Sequence, residues 1–493
     1  MVSARPAQAG VALVTLLVVL AWLRPIDHDE SQYVAAAALT ARGLIPYRDY
    51  AYLQTPLQPF VLAPVVWAFG AWAYPALRIV NALLGAVVVV ASFAGMRVLG
   101  VRRGVALTCA ALLVCCDIML FSAGTARNDA LPAALFALAL PLVLRRERDG
   151  GERGSALLIG LLLASAAAAK ISYAVPAALY GVYALCVPRH RPGWVAIGTV
   201  PAVALLAATF AAQPSGFWYG VVRFPTMAPA DYYLATGRAW KLGQGAKAFD
   251  MLKFLALGPA LLALASVVRT RERRWPSVLE WLILAGLLAA LLPTPTWRQY
   301  LLPVLPPLFV RLAELWNAHP PRRGVRIAAV VFAVAGLAPS MEALLKAAGG
   351  VPMTAAMRDG GAIRDALDRR GVGGAIATLS PQFVPATRRA IDPRFAAGPF
   401  HFRSRTLLGP DDEAALGLVS RASLDSALTH AQPGAILVGG EGRWTSGDDA
   451  LDAVLADCAE ARGWRRVAVR GTRFTLYLPG GRARVGRSAI SAP

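Results

Sequence analysis

Apolar residues in this chain fall in long runs, not in alternation. Runs that could cross a bilayer cover roughly Gly10–Leu23, Pro75–Leu99, Val105–Phe121, Ala130–Leu144, Ala156–Ala169, Ser172–Val187, Trp194–Ala212, Phe249–Val268, Val278–Leu292, Tyr300–Leu315 and Val325–Leu345. Several are shorter than the roughly 20 residues that a perpendicular helical span requires. The pattern predicts a polytopic α-helical membrane protein with about 11 transmembrane helices. A further segment, "PLQPFVLAPVVWAFG" at 56–70, is apolar but short and broken by proline. It reads as an interfacial or partly inserted helix; if it crossed, every later loop would change sides.

The polar breaks set an orientation. Every second break is dense in arginine: Arg102 and Arg103, "RRERDGGER", "PRHRPG", "RTRERR" and "HPPRRGVR". The alternate breaks, "GTARNDA", "KISY" and "PTPTWRQY", carry at most one cation each. Cytoplasmic loops collect Lys and Arg, so the N-terminus is expected inside. The outer side then holds loop 24–74, loop 213–248 and everything from 350 to 493. Within the first outer loop, "ESQYVAAAALTARG" reads as a short helix with an acidic first turn and Gly43 as its stop.

After about Gly349 the pattern changes. "AIATLS" (375–380) and "AILVGG" (435–440) read as short strands. "DDALDAVLADCAEARG" has helical spacing and ends at Gly463, and "RRVAVRGTRFTLYLP" reads as a hairpin around Gly471 and Thr472. The expectation is a membrane domain over 1–349 and a small soluble α/β domain over 350–493, with a disordered tail after 481.

Composition agrees. The chain is 57% hydrophobic and 16% charged, against about 45–50% and 25% in soluble domains. The net charge of +21 is largely explained by the arginine-rich loops, so no nucleic-acid partner is implied. Five cysteines show neither CxxC nor metal spacing, which argues against a disulfide framework. The N-terminal run lacks a small-x-small cleavage site and reads as a retained first span. Richness in Ala, Arg, Gly and Pro points to a GC-rich bacterial genome.

Candidate chemistry gathers on the outer side. "RPIDHDESQY" sets Asp27, Asp29 and Glu30 beside the first span, and "GTARNDALP" brings Arg127 and Asp129 to the same surface. Asp29 could cap the following helix, and Asn128 or Asp129 could cap the next span. Acids arriving from two separate loops near a bilayer ask for more than capping. Outer cations are few. Lys170 interrupts an apolar stretch, where it either snorkels or meets an anion. Arg298 sits at a helix start, where a cation opposes the dipole. Arg127, Arg223 and Lys241 lie on the same side, and Tyr300 and other aromatics form an interfacial belt. Cations here suit a phosphate held at the membrane surface. A carboxylate beside them could take the proton of an acceptor hydroxyl. The chemistry permitted is glycosyl transfer, with an Asp as base. The rival is a transporter or flippase of lipid-linked glycans, which would show internal repeats and charges deep in several spans.

"DHDESQYVAAAALTARGLIPYRDYAYLQTPL" resembles the first outer loop of the GT-C superfamily of integral-membrane glycosyltransferases, through Asp29, Glu30, Tyr33, Gly43, Pro46, Tyr47, Asp49 and Pro56. "PALRIVNALLGA", with Arg78, "TARNDALPAAL" and "WRQYLLPVLPPL" are similar to later pieces of that pattern. Relatives include protein O-mannosyltransferases and lipid A aminoarabinose transferases. The resemblance implies a polyprenyl-phosphate sugar donor and a glycan, lipid or protein acceptor. It implies Asp29 as base or acceptor-orienting acid, with Asp27 second and Asp129 in support, and Lys170 and Arg298 toward the phosphate. It places the protein in a bacterial inner membrane with its C-terminal domain periplasmic, and "AAGPFHFRSR" near the membrane mouth. Some members bind a divalent metal, which the resemblance leaves open here; the first outer loop has one His and no paired ligand motif.

Overall fold

The computed structural model describes residues 4–269, 277–404, 407–442 and 451–480. The expected tail after 481 and most of the "RTRERR" loop lie outside them. The apolar runs fold as helices, and their buried faces form one large core that draws on residues from Leu17 to Ala329. Among the described residues, three helical stretches are long and apolar enough to cross a membrane: Leu57–Val98, Pro192–Ala212 and Arg323–Ala347. Counting each of two bent pairs as one span gives five, and four further apolar helices are shorter. Length and composition thus identify three to five crossings where the sequence pattern leads one to expect about 11.

The bends have a local cause. Helix Arg103–Val114 turns by 70° into Asp117–Ala123, and Gln244–Ala256 turns by 101° into Ala260–Arg269. The two breaks meet, since the Asp117 amide donates to the Leu257 carbonyl at 2.9 Å. Groups freed by one broken helix are thereby satisfied by the other. Asp117, 1% exposed, is delivered into the interior at the start of its short helix.

Among the described residues, the arginine-rich breaks at 102–103, 145–153 and 188–193 are linked to one another. Arg102 bonds Asn317, Arg148 Nη1 donates to the Val98 carbonyl, and buried Arg146 donates to the carbonyls of Glu152 and Arg189. His190, also buried, joins Tyr180 and Glu147 there. The acid-bearing loops meet elsewhere, under the C-terminal region. Helix Glu30–Thr40 is followed by Gly43 at φ 86°, the left-handed stop expected of glycine. Residues 56–70 contain the helix Leu57–Phe69, at 13 residues too short to cross alone.

The C-terminal region carries a five-stranded mixed sheet in the order β2-β1-β3-β5-β4. Strands β1 (Ala375–Ala377), β2 (Ala390–Ile391) and β3 (Ala435–Val438) are parallel; β4 (Arg465–Ala468) and β5 (Thr475–Leu478) form the expected hairpin. Helix Leu451–Ala461 covers β3 and ends before Gly463 at φ 67°. Strand β2 and helix Pro352–Asp368 go beyond the sequence-based expectation.

Candidate functional site

The first outer loop is anchored from below. Glu30, fully buried, receives Arg78 Nε at 2.8 Å, Arg78 Nη2 at 2.6 Å, the Tyr74 hydroxyl at 2.6 Å and the Ala126 amide at 2.5 Å. Arg78 spends its other donors on the carbonyls of Ala21, Arg24 and Pro25. Every donor of a buried guanidinium is thus satisfied, which burial of such an ion requires. Burial pushes the Glu30 pKa up, but Arg78 and its hydrogen bonds outweigh that and keep it below the usual range. The loop returns through a tight turn in which Tyr47 takes φ 70° and Asp49 accepts from the Ile45 amide at 2.7 Å. Helix Pro214–Trp218 and the turn after it lie directly on this backbone. A Cβ on Gly220 would stand 2.1 Å from the Tyr52 carbonyl oxygen, so only glycine fits that contact.

Asp29, next in sequence to Glu30, faces the other way. It stands at the N-cap position, but its side chain makes no capping bond, which corrects the capping expectation. It binds Arg127, and His28 Nε2 lies 2.9 Å away. Asp129, expected as another cap, likewise makes no cap bond; it pairs with Arg127 at 3.1 Å and with Lys170. Arg127 also reaches Asp27 at 3.2 Å. Lys170 is not within a continuous helix. The helix ends at Ala169, and Lys170 is extended (φ −155°, ψ 124°) before a short turn, with its ammonium 5.3 Å from the Tyr300 ring.

These groups line a cavity of about 640 Å³. Its wall holds six cations (Arg127, Lys170, Arg238, Lys253, Arg298 and Arg403) and only two carboxylates, Asp27 and Asp29. Among the lining aromatics, Tyr33 and Tyr300 come from the expected set. Glu30, Asp129, Arg78, Tyr47 and Asp49 do not line the cavity. Arg223 and Lys241 are drawn elsewhere, to the Leu407 carbonyl and to Asp250.

Two contributions escaped the sequence reading. Arg298 is not free: it pairs with Asp117 at 2.8 Å and stacks 3.6 Å over the Phe121 ring. Arg24 and Arg127 stand over the same ring, each 5.2 Å away. Asp117 carried a usable signal, a lone acid in an apolar run. The second contribution is C-terminal. Phe400 and Arg403 reach into the cavity wall, with the Arg403 guanidinium 3.4 Å from His28. Gly398 permits that approach; its φ is 57°, and a Cβ there would meet the Ser31 hydroxyl at 2.4 Å. His401 then fixes the segment between the Tyr219 hydroxyl (2.6 Å) and Glu413 (2.9 Å). The sequence motif 396–405 thus meets the cavity through Phe400 and Arg403.

Burial pushes the Asp29 pKa up, but Arg127, His28 and Arg403 outweigh it and hold the carboxyl well below the usual range. Burial lowers the His28 pKa, and Asp29 more than restores it, leaving it raised. The pair is therefore ionised carboxylate beside a readily protonated imidazole. Asp27, His28 and Asp29 also bring ligand atoms within 4.8 Å of one another. Arg127 already bonds both carboxylates and Arg403 crowds the imidazole, so an ion would compete with two guanidinium groups for the same lone pairs. As they stand, these residues do not fit a resident metal.

The arrangement can hold a phosphate against several cations beside an ionised carboxylate, with aromatic walls for a sugar or lipid. No family model matches the chain, and no curated protein does. Among solved structures, ArnT from Cupriavidus metallidurans bound to undecaprenyl phosphate aligns over 97% of this chain and 100% of its own, at 16% identity and TM-score 0.62. Its apo form aligns over 98% and 100%, at 15% identity and TM-score 0.63. The oligosaccharyltransferase of Archaeoglobus fulgidus is more distant, with 12% identity, 90% and 72% coverage and TM-score 0.47. The fold of this chain is similar to that of ArnT over nearly its whole length, largely helical and closed by a small C-terminal mixed sheet, and among its described residues three to five helical segments are long and apolar enough to cross a membrane.

Proposed function

We propose that this protein transfers a sugar from a polyprenyl-phosphate donor to an acceptor on the extracytoplasmic side of the membrane. The observation that carries the reading is the cavity wall: six cations and two carboxylates around about 640 Å³. The acceptor oxygen attacks the anomeric carbon while the bond from that carbon to the phosphate oxygen breaks. The electron pair leaves with the lipid phosphate, where Lys170, Arg298 and Arg127 offset the developing charge. The acceptor proton passes to Asp29, with Asp27 as second candidate and His28 beside it. Asp129 orients Arg127 and Lys170. The solved ArnT with bound undecaprenyl phosphate supports a lipid phosphate as the donor's anchor. Sugar and acceptor are set by contacts that a 16% identity does not carry over.

The same reading takes 1–349 as the membrane domain and 350–493 as an extracytoplasmic domain. It has about 11 crossings, a cytoplasmic N-terminus and a bacterial inner-membrane setting. The linking of arginine-rich loops to one another supports it.

The test compares lipid-linked sugars and surface glycans by mass spectrometry, with and without the protein. The expected result is that its loss leaves a sugar on polyprenyl phosphate and removes that sugar from an envelope glycan, lipid or protein. Unchanged pools on both sides would refute transfer. A lipid-linked sugar that merely changes leaflet would favour a flippase.

A further inference from the structure

A second cleft, of about 290 Å³, opens where the C-terminal region meets the end of helix Glu30–Thr40 and the turn after Leu57–Phe69. It shares no lining residue with the larger cavity. Its floor is apolar, built from Leu39, Val66 and neighbouring alanines, and its only charged groups are Arg42, Arg388 and Arg389. Arg389 pairs with Asp368. Arg42 and Arg388 are exposed and have no ion pair among the described residues. Arg388 also holds φ 58°, a left-handed conformation that costs any residue with a Cβ. Such an outlier is a pointer to function when it presents a specific group.

The surroundings say what reaches this cleft. Trp67 is 80% exposed, and Phe69 and Trp72 are each 55% exposed. Large aromatics left bare on a short apolar helix are stable at the headgroup level of a bilayer, where tryptophan concentrates. Trp67 lines the cleft itself, which would bring its arginines near the plane of lipid phosphates. Arginine is a forked donor matched to phosphate oxygens. No carboxylate lines the cleft to compete.

We infer that this cleft binds the phosphate-bearing headgroup of an anionic membrane lipid, at a site separate from the larger cavity. The guanidinium groups of Arg42 and Arg388 take the phosphate, the apolar floor takes the glycerol and upper acyl chain, and the aromatics seat the cleft in the leaflet. The inference takes from the proposed function only that this end of the molecule meets a bilayer surface. It does not depend on sugar transfer.

The test uses the full chain in nanodiscs of phosphatidylcholine with a minor share of phosphatidylglycerol, followed by native mass spectrometry of retained lipid. Wild type should retain phosphatidylglycerol over phosphatidylcholine. The double variant Arg42→Gln/Arg388→Gly should lose that enrichment by roughly 10- to 30-fold, from the attraction of two basic groups near a membrane surface. Arg466→Gln, on an exposed position of β4, should keep it. Glycine suits the left-handed position, so Arg388→Gly alone should leave the melting temperature unchanged or raised, which separates lost binding from lost folding. Equal enrichment in all variants would overturn the inference. If inorganic phosphate alone stabilises wild type as well as phosphatidylglycerol does, and fails on the double variant, the cleft is a free-anion site and the lipid assignment falls.

Discussion

Glu30 and Asp29 are neighbours in the chain and opposites in circumstance. Glu30 is fully buried and saturated by Arg78, Tyr74 and backbone amides. Asp29 keeps 22% of its side chain exposed and shares Arg127 with two other carboxylates. The first pair ties the loop to the helices beneath it. The second leaves an ionised group facing open space. The difference teaches that a buried ion pair is not by itself a functional sign. What distinguishes the Asp29 cluster is that it opens on a cavity whose wall, among the described residues, holds six cations and two carboxylates.

Breaking the lower cluster should have the largest effect. Arg78→Ala leaves Glu30 charged and unpaired, a loss of about 3–5 kcal/mol for a buried pair. The variant should fail to give a monodisperse, folded protein in detergent, as read by size-exclusion chromatography and thermal melting.

Glu441 sharpens the comparison, because it is buried with no bonded cation among the described residues. It is 4% exposed and, among the described residues, accepts from the Ser380 hydroxyl at 3.0 Å, with no partner for its other oxygen. Burial pushes its pKa up from 4.5 to about 7, with nearby Asp452 adding to the shift and His28 and Arg403 opposing it. The folded pKa lies above the unfolded one. Its contribution is therefore complete below about 4.5, declines as pH rises, and is lost above about 7. At roughly 1.4 kcal/mol per pKa unit it amounts to at most about 3 kcal/mol. Thermal melting from pH 5 to pH 8 should show this decline in wild type and a flatter profile in Glu441→Gln.

A smaller effect belongs to the C-terminal contribution at the cavity. Arg403→Gln should weaken binding of a polyprenyl phosphate by about tenfold, near the worth of one charged hydrogen bond, with little change in melting temperature. Microscale thermophoresis in detergent reads it. Asp29→Asn should cost less stability than Arg78→Ala, because Arg127 keeps Asp27 and Asp129. A collapse of the fold in that variant would erase the distinction between the two clusters.

Much of this was legible from local pattern. The helix ending near Gly43, the hairpin at Gly471 and the helix before Gly463 follow from spacing and turn residues. Asp29, Arg127, Asp129 and Lys170 were named from separate loops, and the structure gathers them in one network. What stayed hidden depends on distant partners. Asp117 reaches Arg298 only because two bent helices meet at their breaks, and periodicity carries no record of a bend. Arg403 meets His28 across 375 positions. Arg223 and Lys241 had the right charge, but nearer acceptors took them.

The central claim is that Asp29 takes the acceptor proton during sugar transfer from a lipid phosphate. Membranes carrying wild type or Asp29→Asn, supplied with polyprenyl-phosphate sugars, can be followed by mass spectrometry for sugar leaving the lipid. Transfer should fall by roughly 10²- to 10⁴-fold in the variant, the usual worth of general base catalysis, while polyprenyl-phosphate binding persists. Near-normal transfer by Asp29→Asn would contradict the account.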